Sequence, residues 1–276
     1  MPTNLMGIDV GFSKTRRTTG IACLEGDHLT LERAGTSWES RKAKIPDGFQ
    51  PFVIAIDGPL LPLGADPNVR RHVESVFSRA PFHNRCKPGL SHHGVGSELR
   101  QASRDASNQF GPILAPSVLG NGGAVRCEGP ILEAFPNAFL GVLVPEGELL
   151  AAPKFKRGHR FDWLYHRMVT TGRLESALSK NLDLPDVVWY RLRSETDHEL
   201  RAALICLLTA ALAHEGAATV VGEAEGGWFW LPHWSVWQPW AKQGLENAEN
   251  KMALKVTTSL DQPFVVGSLS LPQGVS

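Results

Sequence analysis

The stretch Leu5–Leu24, LMGIDVGFSKTRRTTGIACL, decides how the rest of the chain is read. An apolar run ends in Asp9, Val10 and Gly11. Small polar and basic residues follow, and then a second apolar run. Leu5–Val10 reads as a buried strand whose last side chains reach its end. Thr18–Leu24 and His28–Arg33 read as two further strands, with Glu25-Gly26-Asp27 as the turn between them. Two chemistries begin this way. In one, Asp9 holds a metal ion; in the other, the Gly–Ser–Lys loop cradles nucleotide phosphates.

The next strand signal is FVIAIDGPL, Phe52–Leu60. It is apolar without alternation, as suits a strand covered on both faces, and it too ends in an acid, Asp57. GPILEAFPNAFLGVL, Gly129–Leu143, supplies another strand, with Glu133 near its end and Pro136 stopping it. Between them Val69–Phe77 and Gly96–Phe110 look helical, in an elaboration placed around 62–128. Helices are expected over Arg160–Thr170 and Gly172–Leu182. The clearest helix is Ser194–Gly216: Thr196 and Glu199 have capping-box spacing, and Leu200, Ala203, Leu204, Leu207, Leu208 and Ala211 form one apolar face. Ala218–Pro232 reads as a strand, a turn and an aromatic segment. A meander followed by alternating β and α elements predicts an α/β layer architecture with a mixed sheet. The expected layout is a single domain over 1–240 and a C-terminal tail over 241–276.

Four acids stand out by position: Asp9, Asp57, Glu133 and Asp197, the last in the first turn of the long helix. Carboxylates gathered at strand ends are desolvated and repel one another. A hard divalent cation, Mg²⁺ or Mn²⁺, removes that cost, and two such ions about 3.5–4 Å apart clamp a phosphodiester. Turn formation is the competing role for Asp9 and Asp57, and helix-dipole stabilisation for Asp197.

Taken in order, MGIDVGFSKTRRTTGIACL, FVIAIDGPLLP, ILEAFPNAFL, PKFKRGHRFDWL, HELRAALICLLTAAL and GEAEGGWFWLP resemble a large family of predicted RNase H-like nucleases, itself catalogued as a domain of unknown function. The resemblance spans roughly residues 5–239. It implies a five-stranded mixed sheet with helices on both faces and acids at Asp9, Asp57 and Glu133. It further implies an acid directly before the Ala-Leu run of the last helix, where this chain has Arg201 and Ala202. Asp197 takes that role or the fourth ligand is missing, with His198 and Glu199 as neighbouring candidates.

Charge is balanced, 28 Lys+Arg against 28 Asp+Glu, so a nucleic-acid partner requires a local basic patch. PKFKRGHR offers Lys154, Lys156, Arg157 and Arg160, and the Ser13–Arg17 loop offers Lys14 and Arg16. In HNRCKPGLSHH, residues 83–93, His83, Cys86, His92 and His93 could bind zinc, but paired ligands are missing and zinc is not expected. Cys23, Cys86, Cys127 and Cys206 form no CxxC pair and read as reduced thiols. GWFWLPHWSVWQPW, residues 227–240, holds five of the eight tryptophans; core packing is favoured over base stacking or a homodimer interface. The apolar run Ala202–Ala213 is too short to span a bilayer, and no signal-peptide pattern opens the chain, so a cytoplasmic protein without a membrane partner is expected. The leading expectation is a Mg²⁺- or Mn²⁺-dependent nuclease. The alternatives are an ATP-dependent small-molecule kinase of the actin–hexokinase superfamily and a binding module that has lost catalysis.

Overall fold

The computed structural model describes residues 4–13, 15–62, 64–86, 90–115, 130–155, 159–223, 225–252 and 255–258, with residues 249–252 and 255–258 by backbone course alone. The chain opens with an antiparallel meander, β1 (Asn4–Asp9), β2 (Thr19–Glu25) and β3 (His28–Ala34), followed by a short helix α1 (Trp38–Lys42). Gly26, at φ 56°, makes the β2–β3 turn that the sequence signalled. Strand β4 (Val53–Asp57) then enters parallel to β1. Helices α2 (His72–Phe77) and α3 (Val95–Phe110) lead to β5 (Ile131–Ala134), parallel to β4. Five helices follow: α4 (Pro136–Gly141), α5 (Glu146–Leu150), α6 (His159–Val169), α7 (Arg173–Leu178) and α8 (Asp186–Ser194). The long helix α9 (His198–His214), the hairpin β6 (Thr219–Glu223) and β7 (Gly227–Leu231), helix α10 (Pro239–Met252) and β8 (Lys255–Thr258) complete the described order.

All eight strands among the described residues join one mixed sheet in the order β3-β2-β1-β4-β5-β7-β6-β8. The sheet is therefore wider than the five strands expected. Beyond β5, β7 adds in parallel through Ala134 and Trp230, while β6 pairs antiparallel with both β7 and β8. Ala218–Pro232 is a two-stranded hairpin rather than one strand and a turn. Pro136 does not merely stop β5; it opens α4 at the first helical position, where its missing N–H costs nothing. Helix α10 runs across residue 240, with Trp240, Ala241 and Leu245 buried.

The position of α9 organises the sheet. It lies across β1, β2 and β4, and every residue from Ala202 to Ala213 is buried. The expected single apolar stripe is in fact a helix covered all round, as its uniformly apolar composition requires. Its approach to the sheet depends on two glycines. A Cβ at Gly7 would collide with the backbone of Ala203 and Leu207, and one at Gly20 with the carbonyl of Glu199. On the other face a Cβ at Gly58 would strike the Ser103 hydroxyl of α3. The two faces of the strand ends are thus fixed: Gly7 and Asp9, two residues apart, face α9, while Ile8 faces away.

Replacing Gly20 by Ala is expected to destabilise the fold by about 1–3 kcal/mol, because backbone rather than a movable side chain fills the space. Gly147→Ala, at a helical position with open space around it, is the control and should be neutral or slightly stabilising. Urea unfolding checks both; equal midpoints for the two variants would contradict the close-approach account.

Candidate functional site

Asp9 and Asp57 end adjacent parallel strands and are register partners. Gly20 lies opposite Asp9 on the other side, so Asp9 faces the head of α9 across a position with no side chain. The strand alternation that buries Ile8 and Ile56 away from α9 puts both carboxylates on the α9 face. Both residues are half-buried. Among the described residues no group donates a hydrogen bond to either side chain.

Helix α9 begins at His198 and its N-cap is Asp197, whose Oδ1 accepts from the backbone N–H groups of Glu199 and Leu200 at 3.1 Å each. The capping box expected from Thr196 is replaced by this Asp cap. The other oxygen, Oδ2, pairs with Arg33 at 2.9 Å, and Arg33 also reaches Glu199 at 3.2 Å and the carbonyl of Arg17. Asp9, Asp57, Asp197 and Glu199 thus gather at one end of the sheet with one guanidinium among them. Burial holds the Asp9 carboxyl well above the usual carboxylate range, and the charges of Asp57, Glu199 and Asp197 push it further, against Arg33. Burial, then Glu133, raises Asp57 to about 7. Glu199 acts on Asp9 more strongly than Asp197 does, so the helix-head acid closest to the pair in effect is Glu199. Beneath them the Cys206 thiol is buried and pushed up, first by desolvation and then by Asp57 and Asp9.

Glu133 is placed differently. Its register partner is Ile56, not Asp57, so its side chain leaves the sheet on the face opposite α9. There it is 3 % exposed and bound through both oxygens to Arg71, at 2.9 and 2.6 Å, with the Leu60 N–H donating at 2.8 Å. Burial raises Glu133 to about 7 and Arg71 opposes the rise. The four acids named from sequence therefore do not converge on one point: the structure brings Asp9 and Asp57 together beside the α9 head and commits Glu133 to an arginine.

The other candidates separate in the same way. His198 turns to α6, where its Nδ1 lies 3.0 Å from Asp162, and Arg201 reaches the same Asp162 at 3.3 Å. Arg16 and Lys154 are exposed. Arg160 donates to the carbonyl of His83 at 3.2 Å and sits 5.8 Å from the Phe155 ring centroid, so it ties α6 to a neighbouring loop. Lys14, Lys156, Arg157 and Cys127 lie outside the described residues. Trp228, Trp230, Trp237 and Trp240 are buried; they serve the core. Among the described residues no group of three or more His, Cys, Asp or Glu side chains is arranged to hold a metal, the His83–His93 loop included. No helix among them is long and apolar enough to cross a membrane.

Sequence reasoning missed the arginines. Arg33 and Arg71 carry the counter-charges of the two acid groups, and buried Arg41 holds the Gly11 carbonyl at 3.3 Å and Gln109 at 2.7 Å, fixing the loop that leaves β1. Nothing local marked them: Arg33 follows Glu32, Arg41 lies between Ser40 and Lys42, and Arg71 between Arg70 and His72, like many exposed arginines. No family model, curated protein or solved structure matches the chain.

The acid pair makes stability depend on pH. An unfolded Asp ionises near pH 4, whereas folded Asp57 keeps its proton to about 7. The folded state then binds more protons across that window, so its stability falls as pH rises from about 4 to 7. Asp57→Asn removes this loss: its melting temperature should exceed the parent's at pH 8, with the gap closing at pH 4. A gap that is the same at both pH values would contradict it.

Proposed function

We propose that the chain is a divalent-cation-dependent phosphodiesterase acting on nucleic acid, built on an RNase H-like sheet. The order β3-β2-β1-β4-β5, with β1–β3 antiparallel and β4 and β5 parallel to β1, supports the fold that the sequence resemblance implied. One observation carries the chemistry: among the described residues, two carboxylates without hydrogen-bond donors lie side by side at strand ends, with two more acids and the guanidinium of Arg33 around them. Such a cluster is stabilised by added positive charge.

The donor set fits Mg²⁺ or Mn²⁺. Carboxylate oxygens are hard ligands, and Mg²⁺ is commonly held by one or two carboxylates with water and substrate phosphate filling the remaining positions. A two-acid site is therefore sufficient. When bound, the cation would polarise a phosphoryl oxygen and acidify a coordinated water. Asp9 and Asp57 would hold it. Arg33 fixes Asp197 and Glu199 at the helix head, leaving the strand-end pair as the open oxygens. Arg16, exposed on the loop after Asp9, is the described basic residue nearest in sequence to the pair and is assigned a backbone-phosphate contact. The buried, unbridged thiols of Cys23, Cys86 and Cys206 suit a reducing compartment, in keeping with a cytoplasmic role.

The commitment of Glu133 to Arg71 favours a second reading, in which the fold binds its partner without cleaving it. Cleavage assays separate the two. DNA, RNA, hybrid and branched substrates should include one that is cut with Mn²⁺ or Mg²⁺ and spared with EDTA. Asp9→Asn should lower that rate by more than about 100-fold, beyond the cost of losing an outer-shell partner. Binding without cutting, identical in the parent and Asp9→Asn, supports the non-catalytic reading.

A further inference from the structure

Glu133 belongs to a second charged assembly, on the face opposite α9. Arg71 is fully buried and is held on several sides. Besides its two bonds to Glu133, its Nη1 lies 3.1 Å from Glu74, and its Nε donates to the carbonyl of Gly226 in the β6–β7 turn. Glu74 is anchored in turn by the Ser91 N–H at 2.9 Å and by the Ser91 hydroxyl. Arg100 donates to Ser91 and to the carbonyls of Pro67 and Val69. Arg71 and Arg100 stand among Glu133, Glu74 and Glu223, the last accepting from the His72 N–H at 2.7 Å, so the acids of this face have arginines beside them. Among the described residues, the charges acting on Asp9 at the α9 head are three further carboxylates and the guanidinium of Arg33.

Two-cation phosphodiesterases need oxygen ligands for both ions, about 3.5–4 Å apart. Glu133 is the acid next to Asp57 that would bridge to a second ion, but three donors already occupy its oxygens. Freeing it would break the two-bond pair of a fully buried arginine, which buried ion pairs resist even with Glu74 and Glu223 close by. We propose that Arg71 serves as the centre's second positive charge: it is a positioning residue that keeps Glu133 out of a cation's reach, so the centre takes a single divalent cation on Asp9 and Asp57. This rests on the cation-dependent reading above. It makes the insertion carrying α2 part of the active centre, since α2 and the residue just before it supply Glu74 and Arg71.

Titration calorimetry of the full chain with Mn²⁺ tests it. The unmodified chain should bind one Mn²⁺. Glu133→Gln should keep one site with less than a tenfold change in affinity, whereas Asp57→Asn should lose tenfold or more. Arg71→Met, which releases Glu133, should bind a second Mn²⁺. Two sites in the unmodified chain, a tenfold or greater loss in Glu133→Gln, or a folded Arg71→Met that still binds one ion would each overturn the assignment. Should Arg71→Met fail to fold by circular dichroism, the first two results decide. A chain that binds no Mn²⁺ at all removes the phosphodiesterase reading itself, an outcome distinct from Mn²⁺ binding that depends on Glu133.

Discussion

Helix α9 lies against β1 and β2 so closely that no side chain fits at Gly7 or Gly20, and the site depends on that contact. Because Gly20 has no Cβ, the first turn of α9 settles against the end of β2, and Glu199 and the Asp197 cap come within electrical reach of Asp9. The same contact covers the strand ends and buries Cys206 beneath them. Burial and mutual repulsion then both oppose ionisation of Asp9 and Asp57. The helix N-terminus, with its partial positive charge, offsets only part of this. The acid-rich helix head and the glycine-bearing strands form one device for holding negative charge in place.

The sheet separates this charge from a second set. Strand alternation sends Asp9 and Asp57 to one face and Glu133 to the other, although the three lie in neighbouring strands. On the far face the insertion supplies Arg71, Glu74, Ser91 and Arg100, which satisfy one another and Glu133. Buried ion pairs of this kind add little net stability but are costly to break from one side. Their effect here is to fix the insertion to β5 and the β6–β7 turn.

Much of the fold was legible because it rests on local signals. The apolar runs ending in Asp9 and Asp57, the Glu25-Gly26-Asp27 turn and the apolar helix near Ala202–Ala213 each declare themselves over a few residues. The width of the sheet was not legible: β8 and the β6–β7 hairpin join through long-range pairing, which leaves only weak sequence patterns. Short helices such as α1, α5 and α8 passed unnoticed for the same reason, since tertiary packing rather than local propensity sustains them. Asp9 and Asp57 were singled out by position alone, and the structure sets them side by side. Glu133 was grouped with them because a strand-end acid looks alike on either face; one residue of register, Ile56 rather than Asp57, decides its partners. The Thr196 capping box lost to Asp197 because both residues are good caps and spacing alone does not choose between them.

We propose that the clustered carboxylates at the Asp9–Asp57 pair are the seat of a divalent cation. Anomalous diffraction from crystals soaked in Mn²⁺ tests it directly. One strong peak is expected, coordinated by a carboxylate oxygen from each of Asp9 and Asp57, with the Arg71–Glu133 pair intact on the other face. A peak coordinated by Glu133 with Arg71 displaced, or no peak at the strand ends, would contradict it.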